Sequence, residues 1–346
     1  MQDTIKKFSV KKKCTASVYD SKAYRICSLI LSKGNKMGAQ DYPFVFRNTL
    51  KTATKGKSQK ELFEFCKKEK MIGGGWPLAR IPKDKEEALA LGKNGQTQNA
   101  ERYGQGFTRA LNCLGKMREN DIVWTRCAGL YYICPVLSGW EYLAGEEADI
   151  YDMHQIVRVK DFIEVGMAEK VPGKIISSFA PRGCLQRIKD DDFFLSKWSL
   201  KILKEVCPDY HDYDHLDLSV ISGERIFELL SPKEVEAVIC LYLQKELGYF
   251  IYTDTVRTDM ETYECVLVKN DGSHFAFPQV KTGKVSLEGK AYEHLLKGND
   301  KVYLFSDKGT ITDTDNKNII ALDKKEILDF IRKNSPLFPE KITSFL

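Results

Sequence analysis

The chain has 346 residues, 43% of them hydrophobic and 29% charged, a globular balance with apolar material for two cores more readily than one. No run approaches the ~18 apolar residues of a membrane helix, and "MQDTIKKF" places Asp3 early with no apolar stretch behind it, so neither a membrane span nor a secretory leader is expected. Ten cysteines stand singly, with no C-x-x-C pair; this argues against a disulfide framework and a cysteine zinc site, and predicts reduced thiols in a cytoplasmic protein.

Net charge is +5 but unevenly placed. Residues 1–60 hold fourteen Lys and Arg against three Asp, with Lys11, Lys12 and Lys13 in one run. Such a basic arm suits an anionic partner such as a phosphodiester backbone, or is simply a solvated segment.

Taken in order, "SQKELFEFCKKEK" (58–70) predicts a helix with Ser58 as N-cap. "AERYGQGFTRALNCLGKM" (100–117) predicts a second, weakened by its glycines. "DIVWTR" (121–126), "GLYYICPVL" (129–137), "GWEYL" (139–143) and "QIVRVKDFIEV" (155–165) read as strands separated by Gly and acidic turns, the pattern of a small β-barrel inside a mixed α+β N-terminal domain, residues 1–206. "CPDYHDYDHLDLSVIS" (207–222) has no helical period and reads as a linker. Its His211 and His215 alone make an incomplete metal site.

Beyond the linker the order of elements becomes informative. "SPKEVEAVICLYLQKELG" (231–248) opens with Ser231, Pro232 and Glu234, the N-cap, first-turn proline and reciprocal glutamate of a capping box, and closes at Gly248. "YFIYTD" (249–254), "TYECVLVK" (262–269) and "SHFAFPQVK" (273–281) read as strands, "SLEGKAYEHLLKG" (286–298) as a helix, "KVYLFS" (301–306) as a strand and "DKKEILDFIRKN" (323–334) as a final amphipathic helix. The domain at 223–346 is therefore expected to be an α-β-β-β-α-β core followed by one helix.

Asp271-Gly272 between two strand-like runs is a strong hairpin signal. With that pair as a two-residue loop, Glu264 lies opposite Gln279, and Lys281 faces Thr262 on the same side, within the ~5 Å that separates cross-strand neighbours. Val266, Val268, Phe275 and Phe277 beside them are apolar, so the polar patch is expected at the end of a buried face, where charged groups need partners or a ligand. The Glu264 carboxylate, the Gln279 amide and the Val280 carbonyl are hard oxygen donors suited to Mg²⁺, with Mn²⁺ as a substitute. Lys281 could orient or deprotonate a water, or stabilise charge on a phosphate. The plainer alternative is a structural Glu264–Lys281 ion pair.

An α-β-β-β-α-β module carrying "YECVLV" and "FPQVKTG" resembles the PD-(D/E)XK, or restriction-endonuclease-like, superfamily, in the branch where glutamine replaces the second acid. The resemblance spans residues ~220–346 and implies metal-dependent hydrolysis of DNA, with Glu264 and Gln279 as metal ligands and Lys281 as the catalytic lysine. That family often takes another acid from the preceding helix. Glu234 belongs to the capping box, whereas Glu236 shares a stripe with Ile239, Cys240 and Leu243, so Glu236 is the candidate. Asp259 or Glu261 could compete with Glu264. Pro278 cannot donate to a ladder; its missing N–H is expected to point away from the hairpin partner.

"GGGWPL" (73–78), "DIVWTRCAGLYYI" and "SGWEYL" bear a looser resemblance, over ~70–190, to PUA/EVE-like barrels that hold a modified base. The flat rings of Trp76, Trp124, Tyr131, Tyr132 and Trp140 could stack on an extruded base, or could be barrel core. The two resemblances together imply an endonuclease acting on double-stranded DNA, modification-dependent or phage-defensive, in a prokaryotic cytoplasm, with a homodimer favoured for duplex cleavage. The rivals are a base reader on an inactive nuclease-like scaffold, and a nuclease directed at RNA.

Overall fold

The computed structural model describes residues 42–51, 56–93, 106–180, 183–218, 223–255 and 262–343. Lys11, Lys12 and Lys13 of the basic arm, and the alternative acids Asp259 and Glu261, lie outside the described residues. The fold is mixed α+β, with two principal sheets.

Strand β1 (Val45–Asn48) is followed by helix α1 (Gln59–Lys68). The Ser58 side chain accepts from the Glu61 N–H and the Glu61 carboxylate accepts from the Ser58 N–H, the reciprocal cap expected from the sequence. Next come β2 (Met71–Gly74), α2 (Lys85–Lys93), α3 (Phe107–Leu114), β3 (Ile122–Cys127), β4 (Leu130–Tyr142) and α4 (Glu146–Tyr151). The series ends with β5 (Gln155–Val159), β6 (Ile163–Gly166), α5 (Gly173–Ser178), β7 (Leu185–Arg187) and α6 (Phe194–Val206). The two runs expected at 129–137 and 139–143 are one long strand, and the run at 155–165 is two.

The strand order is β2-β5-β4-β3-β1-β7, with β6 also on β4. The first half of β4 pairs with β3 and β6, and its second half with β5 after a register shift between Val136 and Trp140. A shift of this kind bends the strand and adds twist, so the sheet curls into a half-barrel. The side chain of Asn48, at the end of β1, then reaches across to the edge strand β2. Its Nδ2 donates to the carbonyls of Gly73 (2.9 Å) and Cys184 (3.1 Å), and its Oδ1 accepts from the Gly73 N–H at 3.1 Å. Gly73 has to be glycine, because a Cβ there would stand 2.0 Å from the Gln155 carbonyl oxygen.

The inner face of the curl buries Phe46, Phe63, Leu111, Leu114, Val123 and Tyr132 beneath α1 and α3. The opposite face of β3 and β4 carries Trp124, Tyr131 and Ile133, which pack in one apolar cluster with Trp198 and Leu203 of α6. That cluster runs on without interruption into the C-terminal elements.

Helix α7 (Pro232–Lys245) opens at Ser231 with the complete capping box to Glu234 and the proline in its first turn. β8 (Tyr249–Ile251), β9 (Leu267–Lys269), β10 (Phe275–Lys281), β11 (Leu287–Glu288), β12 (Lys301–Ser306), β13 (Ile311–Thr312) and β14 (Ile319–Ala321) follow, then α8 (Lys324–Lys333) and α9 (Glu340–Thr343). The sheet order is β14-β12-β10-β9-β8: the hairpin strands are antiparallel, and β12 lies parallel to both β10 and β14. The helix expected at 286–298 is instead the short strand β11 and a 3₁₀ segment, Gly289–Leu295. Pairing of β11 with β13 holds the chain so close that a Cβ on Gly289 would meet the Asp313 carbonyl oxygen at 2.3 Å, which leaves no room for a full α-helical start.

Replacing Asn48 leaves the Gly73 N–H and carbonyl without partners, while the Cys184 carbonyl keeps the Thr49 N–H, so Asn48→Ala is expected to destabilise the fold by about 2–3 kcal/mol. Urea unfolding of the variant and the wild type measures this; equal midpoints would show that the bridge does not hold the half-barrel.

Candidate active site

The polar end of β10 is set by alternation. Ala276 and Val280 belong to the main core, whereas Phe277 packs with the small cluster of Leu287, Val302, Leu304 and Ile319. Gln279 and Lys281 therefore share the face of Phe277. Parallel pairing with β12 runs without a break from Ala276↔Lys301 to Lys281↔Ser306, so this side of β10 is firmly held.

The other side differs from expectation. Phe275 pairs with Val268 and Ala276 with Leu267, the expected hairpin register, and Gly272 (φ 71°) closes the turn with its N–H on the Lys269 carbonyl at 2.8 Å. The turn spans four residues rather than two, since the first hydrogen bond across it runs from the Lys269 N–H to the His274 carbonyl. The ladder ends just before Pro278. The Pro278 carbonyl accepts from the Glu264 N–H at 2.9 Å; the N and O of a strand residue point the same way, so the missing N–H faces the hairpin partner rather than away from it. A proline there removes a ladder bond and stops β9 short of Glu264. Phe275 is 42% exposed, so the face leading to the site is less buried than its composition suggested.

Glu264 takes over where the ladder fails. Its Oε1 accepts from the Val280 N–H at 3.3 Å. Burial holds the Glu264 carboxyl above the ordinary range, opposed by that N–H and by the nearby Lys281 charge. Glu236, half-buried on α7, is raised first by burial and then by the Glu264 carboxylate, opposed by Lys233 and Lys281. The fold thus brings Glu236, Glu264 and Lys281 within electrostatic reach of one another, and Gln279, two residues before Lys281 on β10, is buried at 1% exposure. No Glu264–Lys281 ion pair within 4.0 Å forms among the described residues. Under the acids, Cys240 and Cys265 bring their Sγ atoms to 3.6 Å.

Among the described residues, no three His, Cys, Asp or Glu side chains gather as a metal-holding group. This site offers two carboxylates and, beside them, the Gln279 amide and the Val280 carbonyl. Two half-buried acids that each resist ionisation fit a divalent cation, whose charge offsets both. An acid not foreseen from sequence also borders the site. Asp307 follows β12, donates its N–H to the Lys281 carbonyl at 3.3 Å and is 4% exposed, with its carboxyl raised by burial. A polar residue at the end of an apolar strand run was its one sequence signal.

The aromatic residues of the N-terminal half fall differently. Trp124 is fully buried and donates from Nε1 to the Ser199 Oγ at 3.1 Å; Tyr131, 4% exposed, packs edge-on against Phe179. Tyr132 lies in the inner core. Trp124 and Tyr131 are thus core residues rather than stacking platforms, because α6 and the Phe179 ring cover that face. Trp76 (φ 63°) folds back over Gly74 and meets Phe107, leaving 7% exposed. Trp140 is half-buried, donates to Gln155 Oε1 at 3.0 Å and borders an open cavity of about 440 Å³ with Pro82 and Tyr142. His211 pairs with Asp214 at 2.8 Å. No helix among the described residues is long and apolar enough to cross a membrane.

The raised acids predict a pH signature. Each has a folded pKa above its unfolded value of ~4.3, so the stability supplied by the neutral form is present below that pH and is lost as pH rises through the folded value. Glu264→Gln keeps an acceptor for the Val280 N–H but removes the ionisation. Its melting temperature should exceed the wild type's at pH 7, with the gap closing towards pH 4; a gap independent of pH would contradict the assignment.

No family model matches the chain, and no curated protein does. Among solved structures, the chain is similar to the MspJI restriction endonuclease in complex with a 27-mer oligonucleotide, at 10% identity and a TM-score of 0.24, covering 86% of this chain and 70% of that one. A likeness of that size assigns neither family nor activity.

Proposed function

We propose that the protein is a metal-dependent nuclease that hydrolyses phosphodiester bonds, with DNA as its substrate. The observation that carries this reading is the pair of half-buried acids, Glu236 and Glu264, whose carboxyls are both raised by burial, that of Glu236 further by the Glu264 carboxylate, beside Lys281 at the end of a parallel strand. A site that serves only structure has no need of two acids that resist ionisation next to a lysine that neutralises neither by direct pairing.

In this reading Glu264, Gln279 and the Val280 carbonyl hold Mg²⁺, with Glu236 supporting from α7. The cation supplies charge compensation on the phosphate and a more acidic water. Lys281 orients the attacking water and offers its ammonium to the charge that develops on the non-bridging oxygens. The Val280 N–H holds the Glu264 carboxylate in place. Gln279, neutral and buried, adds an oxygen without adding a third charge to a site already costly to ionise. The curled sheet is the part that chooses or holds the target, and cleavage of both strands calls for one such centre per strand, hence two copies.

The test is cleavage of duplex DNA, modified and unmodified, with Mg²⁺ or with EDTA. Lys281→Ala and Glu264→Ala should each lower the Mg²⁺-dependent rate by about a hundredfold or more, and millimolar Mg²⁺ should raise the melting temperature of the wild type but not of Glu264→Ala. Binding without cleavage by every form, unchanged in Lys281→Ala, would overturn the catalytic reading in favour of a binding module. Faster cutting of matched RNA would reassign the substrate.

A further inference from the structure

A second feature lies in the N-terminal half, away from the acids and the lysine of β10. A cavity of about 540 Å³ opens between α3, β1 and β7, in the size range of small-ligand sites. Its walls carry four cationic side chains, Arg47, Arg109, Lys116 and Arg187, with Phe46 and Asn112 among the remainder and, among the described residues, no carboxylate. The positions follow from the elements. Arg109 and Asn112 lie three apart on α3 and Lys116 follows its C-cap, Gly115, while Arg187 is presented by β7, which pairs directly with β1.

Arg47 is the unusual member. It is 1% exposed, an uncommon state for an arginine without an acidic partner. Its Nη1 donates to the Thr49 hydroxyl at 3.0 Å and the Gly183 carbonyl at 2.6 Å, and its Nη2 to Gln186 Oε1 at 3.3 Å. Nε finds no acceptor among the described residues. All these partners are neutral, so among the described residues the positive charge has no counter-charge. Two thiols stand near it, Cys113 and Cys184, but burial pushes both up to about 11, so neither ionises at neutral pH. Arg109, Lys116 and Arg187 make no ion pair within 4.0 Å among the described residues. Four cations sharing one cavity repel each other, and a buried one pays a desolvation cost that neutral acceptors offset only in part. An anion in the cavity resolves both.

We propose that this cavity is a binding site for a phosphate group, belonging either to the backbone of a nucleic-acid strand or to a free nucleotide. Arginine-rich sites match phosphate through several parallel N–H donors. Arg47 sets the positive floor, and the exposed Arg109, Lys116 and Arg187 reach the ligand. The proposal does not depend on the nuclease reading, because it concerns binding in the absence of metal.

The experiment measures binding of a fluorescein-labelled 12-nucleotide single strand and the matching duplex to the full chain in EDTA, across a salt series. Arg109→Ala, Lys116→Ala and Arg187→Ala alter exposed side chains and leave the core intact; Arg47→Lys tests the floor, and Lys68→Ala is a control on an exposed lysine of α1. Each of the three alanine variants should weaken binding about five- to tenfold and reduce the slope of log affinity against log salt by about one, whereas Arg47→Lys, which keeps the charge, should weaken binding with the slope unchanged. Adenosine monophosphate and inorganic phosphate as competitors distinguish the sources: displacement by either, with a raised melting temperature in the wild type but not in Arg187→Ala, assigns a free phosphate ligand, and displacement by neither assigns the strand backbone. Affinities and slopes equal to those of Lys68→Ala, with no nucleotide effect on melting, would overturn the proposal while leaving Mg²⁺-dependent cleavage to be judged separately.

Discussion

A single hydrogen bond, from the Val280 N–H to the Glu264 carboxylate, links the geometry of the C-terminal sheet to the chemistry at its end. It exists because Pro278 cannot donate to the ladder. Where an ordinary hairpin would continue zipping, the regular ladder stops with the Glu264 N–H still on the Pro278 carbonyl, and the Glu264 side chain takes the Val280 N–H. On the opposite edge the parallel pairing with β12 is complete, so Gln279 and Lys281 stay fixed while the Glu264 side has room for a carboxylate. Proline at this position thus converts the end of a strand into a polar notch without loosening the strand itself.

The acids sit on a substantial base. Glu236 rides on a helix that also carries Val235, Val238, Ile239 and Leu243, all buried in the cluster that also takes in Trp124 and Trp198. The packed helix fixes where that carboxyl leaves the backbone, and its half-buried position there raises its pKa. The same cluster ties the curled sheet to the helix carrying Glu236. A Cβ on Gly173, at the start of α5, would stand 1.7 Å from the Glu234 carboxylate, and Lys308 bridges Glu228 at 2.8 Å and Asp191 at 3.4 Å.

Much of the C-terminal fold was legible because its signals are local. Ser231, Pro232 and Glu234 declare a helix start within four residues, and Asp271-Gly272 sets a register that the pairs of β9 and β10 follow. Tertiary context decided the rest. The direction of the Pro278 nitrogen depends on which hairpin pairs are hydrogen-bonded, and turns of two and four residues keep the same pairs while exchanging those roles. Residues 286–298 have helical composition, yet they are committed by pairing with a strand more than twenty residues later. Trp124 and Tyr131 alternate as residues of an exposed sheet face might, but α6, some seventy residues downstream, covers them. Arg47 carried no signal at all: an arginine in a strand reads as a solvated residue until its burial is seen.

The Asn48 bridge has a consequence beyond the fold it closes. β2 is an edge strand, and edges offer unpaired N–H and C=O groups to any passing chain. By engaging both the N–H and the carbonyl of Gly73, the asparagine gives that stretch of edge a partner from within its own molecule. One amide side chain thereby does for association between copies what charged or proline-capped edges do in other sheets: it withholds the template on which a foreign strand would add.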